Sequence, residues 1–441
     1  MSQRRIGWVI LMSLLLLPSL VGADEALRLS FQEALRRAGR EHVSVIVANE
    51  RVQQAMARLW QARSTLLPQV GGTASETRQT RNLEAVGLST PGKDPLIGPF
   101  NSFDARLTVT QRLFDAGALQ RLSAAKAGQV LSLAESRKAL QDAMALVATL
   151  YLHAQRATEA LELAHAVLER AEMRLHIAGT RQQLGVGSPL EAKQAEAELT
   201  ASVHQWQAAL REAMERRLDL AAALGLPSDQ PMILTGDERL VEEAGTSLRE
   251  VLAAVSDHPE VEAAQRVVQE RQAERRAELA DALPRVSASV DYGASGSKVS
   301  DAEGTYDIGA HVSVPIFEGG LRAARVREAG SAVRASEAQL ADARRHVEAN
   351  ALSALQSVQE ARVLMEANRT ALTVASKQLQ LAQHRLRDGI GSALEVVEAR
   401  TQAAVAADQQ LEAQATARLA SVHVAHAMGH MERLAAGPGG W

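Results

Sequence analysis

The sequence predicts a mainly α-helical protein with a small β part, built from one structural unit that occurs twice. Three observations predict this class. A set of short motifs recurs in the same order about 204 residues further along the chain. Two long stretches contain no proline and carry apolar residues at sevenfold spacing, which is typical of supercoiled helices. Short segments in which apolar and polar residues alternate precede each stretch, as expected of strands with one buried face.

The first 23 residues resemble a secretory signal peptide. Arg4 and Arg5 precede an apolar run over residues 6–17, and small residues come before Asp24. This pattern predicts export and cleavage after Ala23. The apolar run is too short for a convincing membrane-spanning helix. A retained N-terminal anchor and a twin-arginine signal are the alternatives.

Composition excludes several classes of function. The chain has 48 basic and 52 acidic residues, and loss of the two signal-peptide arginines leaves 46 basic residues and a net charge of −6. This balance, without a basic stripe, argues against a nucleic-acid partner. The absence of cysteine excludes disulfides, thiolate chemistry and a lipid-bearing cysteine. No later run of apolar residues reaches the length of a transmembrane helix. An aromatic content of 3% favours long packed helices over a compact enzyme core.

The duplication divides the chain into four parts after the signal peptide at 1–23. The first repeat occupies 24–228, an equatorial linker 229–245, the second repeat 246–429, and a flexible tail 430–441. The landmarks common to both repeats are Leu67-Pro68 and Leu283-Pro284, Phe114-Asp115-Ala116-Gly117 and Phe317-Glu318-Gly319-Gly320, and GVGSPLE from Gly185 and GIGSALE from Gly389.

Each repeat contains one predicted β-hairpin, at about 69–117 and about 285–318. The alternation is clear at Ala105, Leu107 and Val109, and it is repeated along the second hairpin. Six of the eight Phe and Tyr residues lie in or beside these segments. Aromatic side chains at such positions suit the interfacial girdle of a membrane β-barrel. A soluble sheet with an ordinary aromatic core is the alternative for either hairpin taken alone.

A long helix follows each hairpin, at about 118–183 and about 321–387. Apolar residues recur every seven positions, so these helices are expected to pack against partner helices along a buried seam. At 1.5 Å per residue, such a helix spans ~100 Å. That length exceeds what a globular domain needs, and it indicates that the helices cross a space.

The repeated glycine-rich turn joins each long helix to a shorter return helix, at about 188–224 and about 392–428. The glycines permit the backbone angles that end a helix and reverse the chain. Ser188 and Ser392 stand where an N-cap residue belongs, with Glu191 and Glu395 three residues later, which predicts two capping boxes. The two turns are therefore predicted to be the tips of two helical hairpins.

The order of these elements resembles the TolC-type outer-membrane efflux proteins. The motifs that carry the resemblance are the two Leu-Pro pairs, VPIFEGG from Val314, GVGSPLEAKQAE from Gly185 and GIGSALEVVEAR from Gly389. The resemblance implies a homotrimer with a coiled-coil α-helical barrel and a 12-stranded β-barrel, to which each subunit gives four strands. It also implies contact with outer-membrane lipid, a periplasmic adaptor and an inner-membrane transporter. No cofactor is implied.

The resemblance also implies functional roles for residues at the two tips. Glu395 and Glu398 match an acidic pair that constricts the tunnel in relatives, and the first repeat has Glu191 and Gln194 at the equivalent positions. Simple helix capping by Glu395 and a solvated position for Glu398 are the alternatives. The candidates for adaptor contact, which could equally be plain turn residues, are Gly185, Gly187, Ser188, Leu190, Gly389, Gly391, Ser392 and Leu394.

Three histidines near the C-terminus are a weak candidate for a metal site. His423, His426 and His430 have i, i+3, i+7 spacing, which places them on one helical face. No acidic residue accompanies them closely, and histidine is also favoured electrostatically near helix C-termini. We therefore predict no metal, and we find no catalytic motif elsewhere.

The chain is predicted to be an exit duct of a tripartite efflux pump or type I secretion system, in the outer membrane and periplasm of a Gram-negative cell. A periplasmic coiled-coil adaptor or scaffold is the alternative.

Overall fold

The computed structural model describes residues 27–87, 95–235 and 248–436. The predicted signal peptide at 1–23 lies outside the described residues, as do parts of the predicted linker and tail. Helices and strands follow one another in the order β1 (Leu27–Ser30), α1 (Phe31–Glu41), α2 (Val43–Ser64), β2 (Gln69–Asn82), β3 (Leu96–Asp115), α3 (Ala116–Gln183), α4 (Pro189–Ala223), β4 (Met232–Thr235), α5 (Leu248–Ala254), α6 (Pro259–Ala280), β5 (Arg285–Gly296), β6 (Glu303–Ser313), α7 (Leu321–Arg387), α8 (Ala393–Ala427) and α9 (Met431–Ala436).

The predicted fold class is confirmed: long helices dominate, and each hairpin lies between a shorter and a longer helix. Equivalent helices of the two repeats have nearly equal lengths. α2 and α6 have 22 residues each, α3 and α7 have 68 and 67, and α4 and α8 have 35 each. No helix among the described ranges is both long and apolar enough to cross a membrane.

The chain divides into two compact units. The first, here called the tip unit, has its described residues within Met1–Ile46, Ala139–His258 and Glu348–Trp441. The second, here called the sheet unit, comprises Val47–Lys138 and Pro259–Val347. The boundaries between the units fall inside both long helices. The first part of α3, to Lys138, and of α7, to Val347, belongs to the sheet unit, and the remainder of each helix belongs to the tip unit.

The sheet unit contains an antiparallel four-stranded sheet in the order β2-β3-β5-β6. The two predicted hairpins, β2-β3 and β5-β6, lie side by side, and β3 pairs with β5. A register shift between Arg112 and Phe114 marks a bulge in the pairing of β3 with β5. The strands β2 and β6 form the two edges of this sheet.

The core of the tip unit forms around a short parallel sheet that the sequence did not predict. β1 pairs with β4, which lies inside the range predicted as a linker at 229–245. Tyr151 of α3 is fully buried against it, and the Tyr151 hydroxyl lies 2.9 Å from the carbonyl oxygen of Leu29 and 2.8 Å from that of Thr235. Strands of four residues give too little alternation to be recognised, and their pairing depends on residues far apart in the chain.

The predicted flexible tail at 430–441 needs correction over its described part. Residues Met431–Ala436 form α9, and Met431 is fully buried in the core of the tip unit. The Met431 backbone N–H donates a hydrogen bond to the buried Gln141 side chain at 2.8 Å. This contact joins distant parts of the chain and orders Met431–Ala436. The local sequence of this segment gives little indication that it forms a helix.

Candidate functional site: two helical tips and a one-sided sheet

Both tips end their long helix with the same backbone turn. At the first tip the N–H groups of Val186 and Gly187 donate to the carbonyl of Arg181 at 3.0 and 2.9 Å. Gly185 has a φ of 72°, in the left-handed region where glycine carries no steric cost. This is the Schellman arrangement, which satisfies carbonyls left without partners at a helix end.

The second tip repeats this geometry at the equivalent residues. Ile390 and Gly391 both donate to the carbonyl of Arg385 at 3.0 Å, and Gly389 has a φ of 77°. The predicted reversal of each long helix into a return helix agrees with this geometry, since α4 begins at Pro189 and α8 at Ala393.

The second glycine of each tip is required by close packing against the helix that has just ended. A Cβ atom added to Gly187 would lie 2.9 Å from the carbonyl carbon of Arg181. One added to Gly391 would lie 2.9 Å from the Cβ atom of Arg385. Carbon atoms in proteins do not approach so closely without displacement, so a side chain at either position would force the turn open.

We therefore predict that Gly187→Ala and Gly391→Ala each loosen their own tip. Overpacking of this kind costs about 1–3 kcal/mol. Hydrogen–deuterium exchange should show faster exchange of the Val186 and Ile390 amides, respectively. Gly179→Ala is the control, because a Cβ there meets nothing within 4 Å and alanine favours the helix. Unchanged exchange at Val186 in Gly187→Ala would contradict the packing argument.

The return helices begin with serine caps, but the predicted capping boxes form only in part. The Ser188 hydroxyl accepts from the Leu190 N–H, and the Ser392 hydroxyl accepts from the Glu395 N–H, both at 3.2 Å. The two glutamates do not complete a box; Glu191 pairs with Arg181 at 3.2 Å and Glu395 with Arg385 at 3.6 Å. Each tip is thus bridged by an ion pair between the two helices that it joins.

The remaining two gate candidates are exposed at the start of the return helices. Gln194 and Glu398 lie on the surface. Within the described residues Glu398 makes no hydrogen bond or ion pair, whereas Glu395 is engaged by Arg385. The two carboxylates of the second tip therefore have different surroundings.

Apolar side chains are exposed at both tips. Leu190 and Leu394, which the sequence predicts as contact residues, are both exposed. Sequence reasoning missed Leu184, Val186 and Ile390, which are also exposed. Their position between or beside the tip glycines is the signal that could have identified them, because a tight turn leaves side chains at such positions no interior to occupy.

The structure does not bring the three C-terminal histidines together as metal ligands. His426 Nε2 lies 3.0 Å from Asp142 Oδ1, and His258 Nε2 lies 3.1 Å from the carbonyl oxygen of His426. Burial lowers the pKa of both His423 and His430, and His426 and His153 lower the pKa of His423 further. Over the described part of the chain, no three His, Cys, Asp or Glu side chains are placed to share a metal ion.

In the rows through Leu107 and Val109 of β3, the four-stranded sheet separates apolar from polar side chains between its two faces. Cross-strand partners place Leu107, Tyr292 and Tyr306 in one row, and Val109, Val290 and Ile308 in the next. Most of these side chains are exposed, although they are apolar. A sheet face of this kind needs an apolar surrounding.

The opposite face of the sheet carries charged residues. Arg106 forms ion pairs with Asp104 at 2.9 Å and with Asp291 at 2.6 Å. Asp291 lies opposite Asp307 in the register of β5 and β6. One face is therefore suited to lipid and the other to water, as in the wall of a membrane channel.

The sheet with one apolar and one charged face, together with the paired long helices, defines the class of protein. The protein is an outer-membrane channel for efflux or secretion, located in the outer membrane and extending into the periplasm. The chain belongs to the outer membrane efflux protein family, which matches residues 34–226 and 252–430. The resemblance inferred from the sequence motifs is thereby confirmed.

Curated relatives match much of the chain. The pyoverdine export outer membrane protein OpmQ of Pseudomonas putida is 28% identical over 411 residues, which cover 89% of this chain and 82% of that protein. The alkaline protease secretion protein AprF of Pseudomonas aeruginosa is 25% identical over 256 residues, covering 55% of this chain and 52% of that protein. Among solved structures, the Campylobacter jejuni CmeC outer membrane channel has the same fold, with a TM-score of 0.78 at 18% identity, over 91% of this chain and 85% of that chain.

Proposed function

We propose that three copies of the chain form a passive exit duct. The observation that carries this proposal is the four-stranded sheet, whose apolar face is exposed and whose edge strands β2 and β6 each have a neighbour on one side only in the described structure. Backbone groups at an open edge cannot remain unpaired in lipid. Four strands are too few to close a barrel, so copies of the chain must complete it, and three copies give twelve strands.

The long helices would continue the duct through the periplasm. Their buried positions are largely alanine and valine, including Ala154, Val347, Ala351 and Val358, which permit close helix packing. The pairs α3–α4 and α7–α8 would line the duct in each copy. We propose no catalytic activity, and energy for transport would come from an inner-membrane transporter.

The two tips would meet a periplasmic adaptor. Support comes from the exposed apolar side chains of Leu190 and Leu394 next to rigid turns, because a fixed apolar edge loses little conformational entropy on binding. The similar proteins include both a pyoverdine export protein and an alkaline protease secretion protein. The duct could therefore serve either efflux or type I secretion.

Glu398 is our candidate for the residue that controls ions at the tip. It is exposed, and Arg385 of its own tip is paired with Glu395. Threefold symmetry would bring three such carboxylates towards one axis, where they would attract cations. Glu395 would instead hold the turn together through Arg385, as Glu191 would through Arg181.

The proposed duct and its gate can be tested in planar lipid bilayers. We expect wild-type protein to form channels that prefer cations, and Glu398→Gln to lower the cation-to-anion permeability ratio at low salt. Loss of an interaction of about 1 kcal/mol corresponds to roughly a fivefold change in this ratio. Glu366→Gln, which removes an equal charge from the long helix α7, should leave the ratio unchanged.

Two results would count against these proposals, and they are separable. Absence of any channel activity in protein that remains folded would refute the duct. Channels whose ion preference is the same in wild type and Glu398→Gln would leave the duct intact and refute the role of Glu398.

A further inference from the structure

Three arginines and two aspartates form one group of charges where β3 joins α3 and α6 joins β5. This group, here called the arginine cluster, consists of Arg112, Arg121, Arg285, Asp115 and Asp281. Arg121 lies 2.7 Å from Asp281 and 3.8 Å from Asp115. Arg285 lies 3.1 Å from Asp281, and Arg112 lies 3.1 Å from Asp115. Three positive charges share two negative charges, so the arginine cluster has a net charge of +1.

The positive charges lie on the solvent side of the arginine cluster. The side chains of Asp115 and Asp281 are 2% and 18% exposed. Those of Arg112, Arg121 and Arg285 are 46%, 44% and 45% exposed. Solvent therefore meets guanidinium groups, and the carboxylates that orient them lie beneath. A guanidinium has five N–H donors in a planar fork that fits carboxylate and phosphate groups. Arg112 donates one hydrogen bond, to Asp115, within the described chain, so most of its donors remain available.

Two of the arginines stand on the polar face of the four-stranded sheet. Arg112 follows Thr110 by two residues along β3, and Arg285 precedes Ser287 by two residues along β5. Arg112 pairs with Ser287, and Ser287 pairs with His311 of β6, so these three residues form one row across the sheet. The hydroxyl and imidazole groups of this row are further hydrogen-bonding groups beside the guanidiniums. In the proposed duct, this face of the sheet lines the water-filled passage.

The equivalent positions of the duplicated unit contain no arginine. The pairs Gln69–Thr110 and Arg285–Ser313 show that β2 corresponds to β5 at an offset of 216 residues and β3 to β6 at an offset of 203 residues. At these offsets the counterparts of Arg112, Arg121, Arg285, Asp281 and Asp115 are Pro315, Ala324, Gln69, Thr65 and Glu318. Glu318 pairs with Arg322, which adds no net charge. The order of helix, hairpin and helix therefore forms without the arginine cluster, which indicates a role beyond the fold.

The acidic residues further along the polar face are too distant to cancel this charge. Asp291 and Asp307 lie in the row of Thr108. Arg112 is four residues further along β3, which is about 13 Å at 3.3 Å per residue. Charges in water at physiological salt are largely screened beyond about 8 Å. A solute at the arginine cluster therefore experiences mainly the field of the arginines.

We propose that the arginine cluster binds polyanionic solutes that pass through the duct, namely molecules with two or more closely spaced carboxylate or phosphate groups. This inference rests on the proposed function, to which it adds a substrate class. The oxyanion groups accept hydrogen bonds from Arg112 and Arg285, while Asp115 and Asp281 hold the guanidiniums in place. Binding is weak and reversible, because the arginines are partly exposed and already share two carboxylates. An exit duct requires such release.

Block of single-channel current by pyrophosphate tests this proposal in planar lipid bilayers at about 0.1 M salt, where the screening length is about 10 Å. We expect pyrophosphate and citrate to block wild-type channels at concentrations where acetate, with one charge, does not. Arg112→Gln and Arg285→Gln should each raise the half-blocking concentration of pyrophosphate about fivefold, because each removes one of three positive charges. Both aspartates keep a partner in these variants: Asp115 keeps the Ala118 N–H, and Asp281 keeps Arg121.

Two matched variants separate the site from general surface charge. Arg112→Lys should keep most of the block, because it keeps the positive charge. Arg78→Gln removes an equal charge from the opposite face of β2, where Arg78 alternates with the same face as Val70, and it should leave the block unchanged. Absence of block in wild type, or equal half-blocking concentrations in wild type and both glutamine variants, would overturn the proposal. Equal weakening by Arg78→Gln and Arg112→Gln would also overturn it.

Calorimetric titration of the detergent-solubilised protein with pyrophosphate distinguishes failure of the site from failure of the duct. The arginine cluster lies within one chain, so binding does not require a conducting channel. Binding that Arg112→Gln weakens, in protein that forms no channels, would support the site and refute the duct. Channels in a protein that binds no pyrophosphate would leave the duct intact and refute the site.

Discussion

Replacing Tyr151 with alanine should lower the free energy of unfolding of the tip unit by about 4 kcal/mol, within the range for loss of a large buried aromatic side chain. Tyr151 is fully buried, and its ring packs edge to face on Phe31 with centroids 5.6 Å apart. Alanine would leave a cavity between α3 and the β1–β4 sheet. The measurement is urea unfolding in detergent followed by helical circular dichroism, at one fixed protein concentration because assembly contributes to stability.

Tyr151→Phe separates the contribution of the ring from that of the hydroxyl. Phenylalanine keeps the contact with Phe31 but removes the donor that reaches the carbonyl oxygens of Leu29 and Thr235. A loss of about 1–2 kcal/mol is expected, because a buried hydrogen-bonding group loses its partner. If phenylalanine proves as destabilising as alanine, packing of the ring is not the dominant effect and the argument fails.

Replacing Asp115 with alanine should lower the free energy of unfolding of the sheet unit by about 3 kcal/mol, the lower end for breaking a buried ion pair. Asp115 is 2% exposed, at the junction of β3 and α3. Its carboxylate accepts from the Ala118 N–H at 2.8 Å and caps α3. It also lies 3.1 Å from Arg112, and Arg121 and Arg285 are within 4.0 Å.

The arginines around Asp115 are partly exposed, and a second carboxylate limits the loss. Asp281 pairs with Arg121 at 2.7 Å and with Arg285 at 3.1 Å, so both arginines keep one partner in the variant. This is why we expect the lower end of the range. Gly117 belongs to the same packing, since a Cβ atom there would overlap the Asp281 carboxylate.

Two further variants separate the contributions of charge and of burial at Asp115. Asp115→Asn should cost about 1–2 kcal/mol less than alanine, because asparagine also caps helices well but carries no charge. Glu318 is the equivalent residue of the second repeat, and it pairs with Arg322 at an exposed position. Glu318→Ala should therefore cost under about 1 kcal/mol. Equal losses for Asp115→Ala and Glu318→Ala in thermal unfolding would refute the importance of burial at Asp115.

The sequence predicted the parts of the fold that depend on local pattern. Sevenfold spacing predicted the long helices, and the observed bounds of α7 agree with the predicted 321–387. Alternation predicted the strands, although β6 ends at Ser313, before the predicted end at 318. The glycines and serines of GVGSPLE and GIGSALE predicted the tips, because helix ends need particular backbone angles and caps.

Local sequence pattern predicted the positions of the functional residues but not their interaction partners. Glu191 and Glu395 were correctly placed at the start of their helices, but their partners are Arg181 and Arg385 rather than the backbone of the capping serines. A long arginine side chain from the preceding helix competes with the cap, and sequence spacing alone does not determine which interaction forms.

By itself, the sequence determined the duplication, because its motifs recur in the same order in both halves of the chain. It also determined the helix periods, the strands with one apolar face and the glycine turns, because each of these is set by residues within a few positions of one another. The tertiary structure alone decided the pairing of β1 with β4, the order in α9 and the charged cluster at Asp115. Each of these joins residues that are distant in the chain, as Asp115 and Asp281 are. Their stability comes from burial and from completed hydrogen bonds, which appear only when the distant segments pack together.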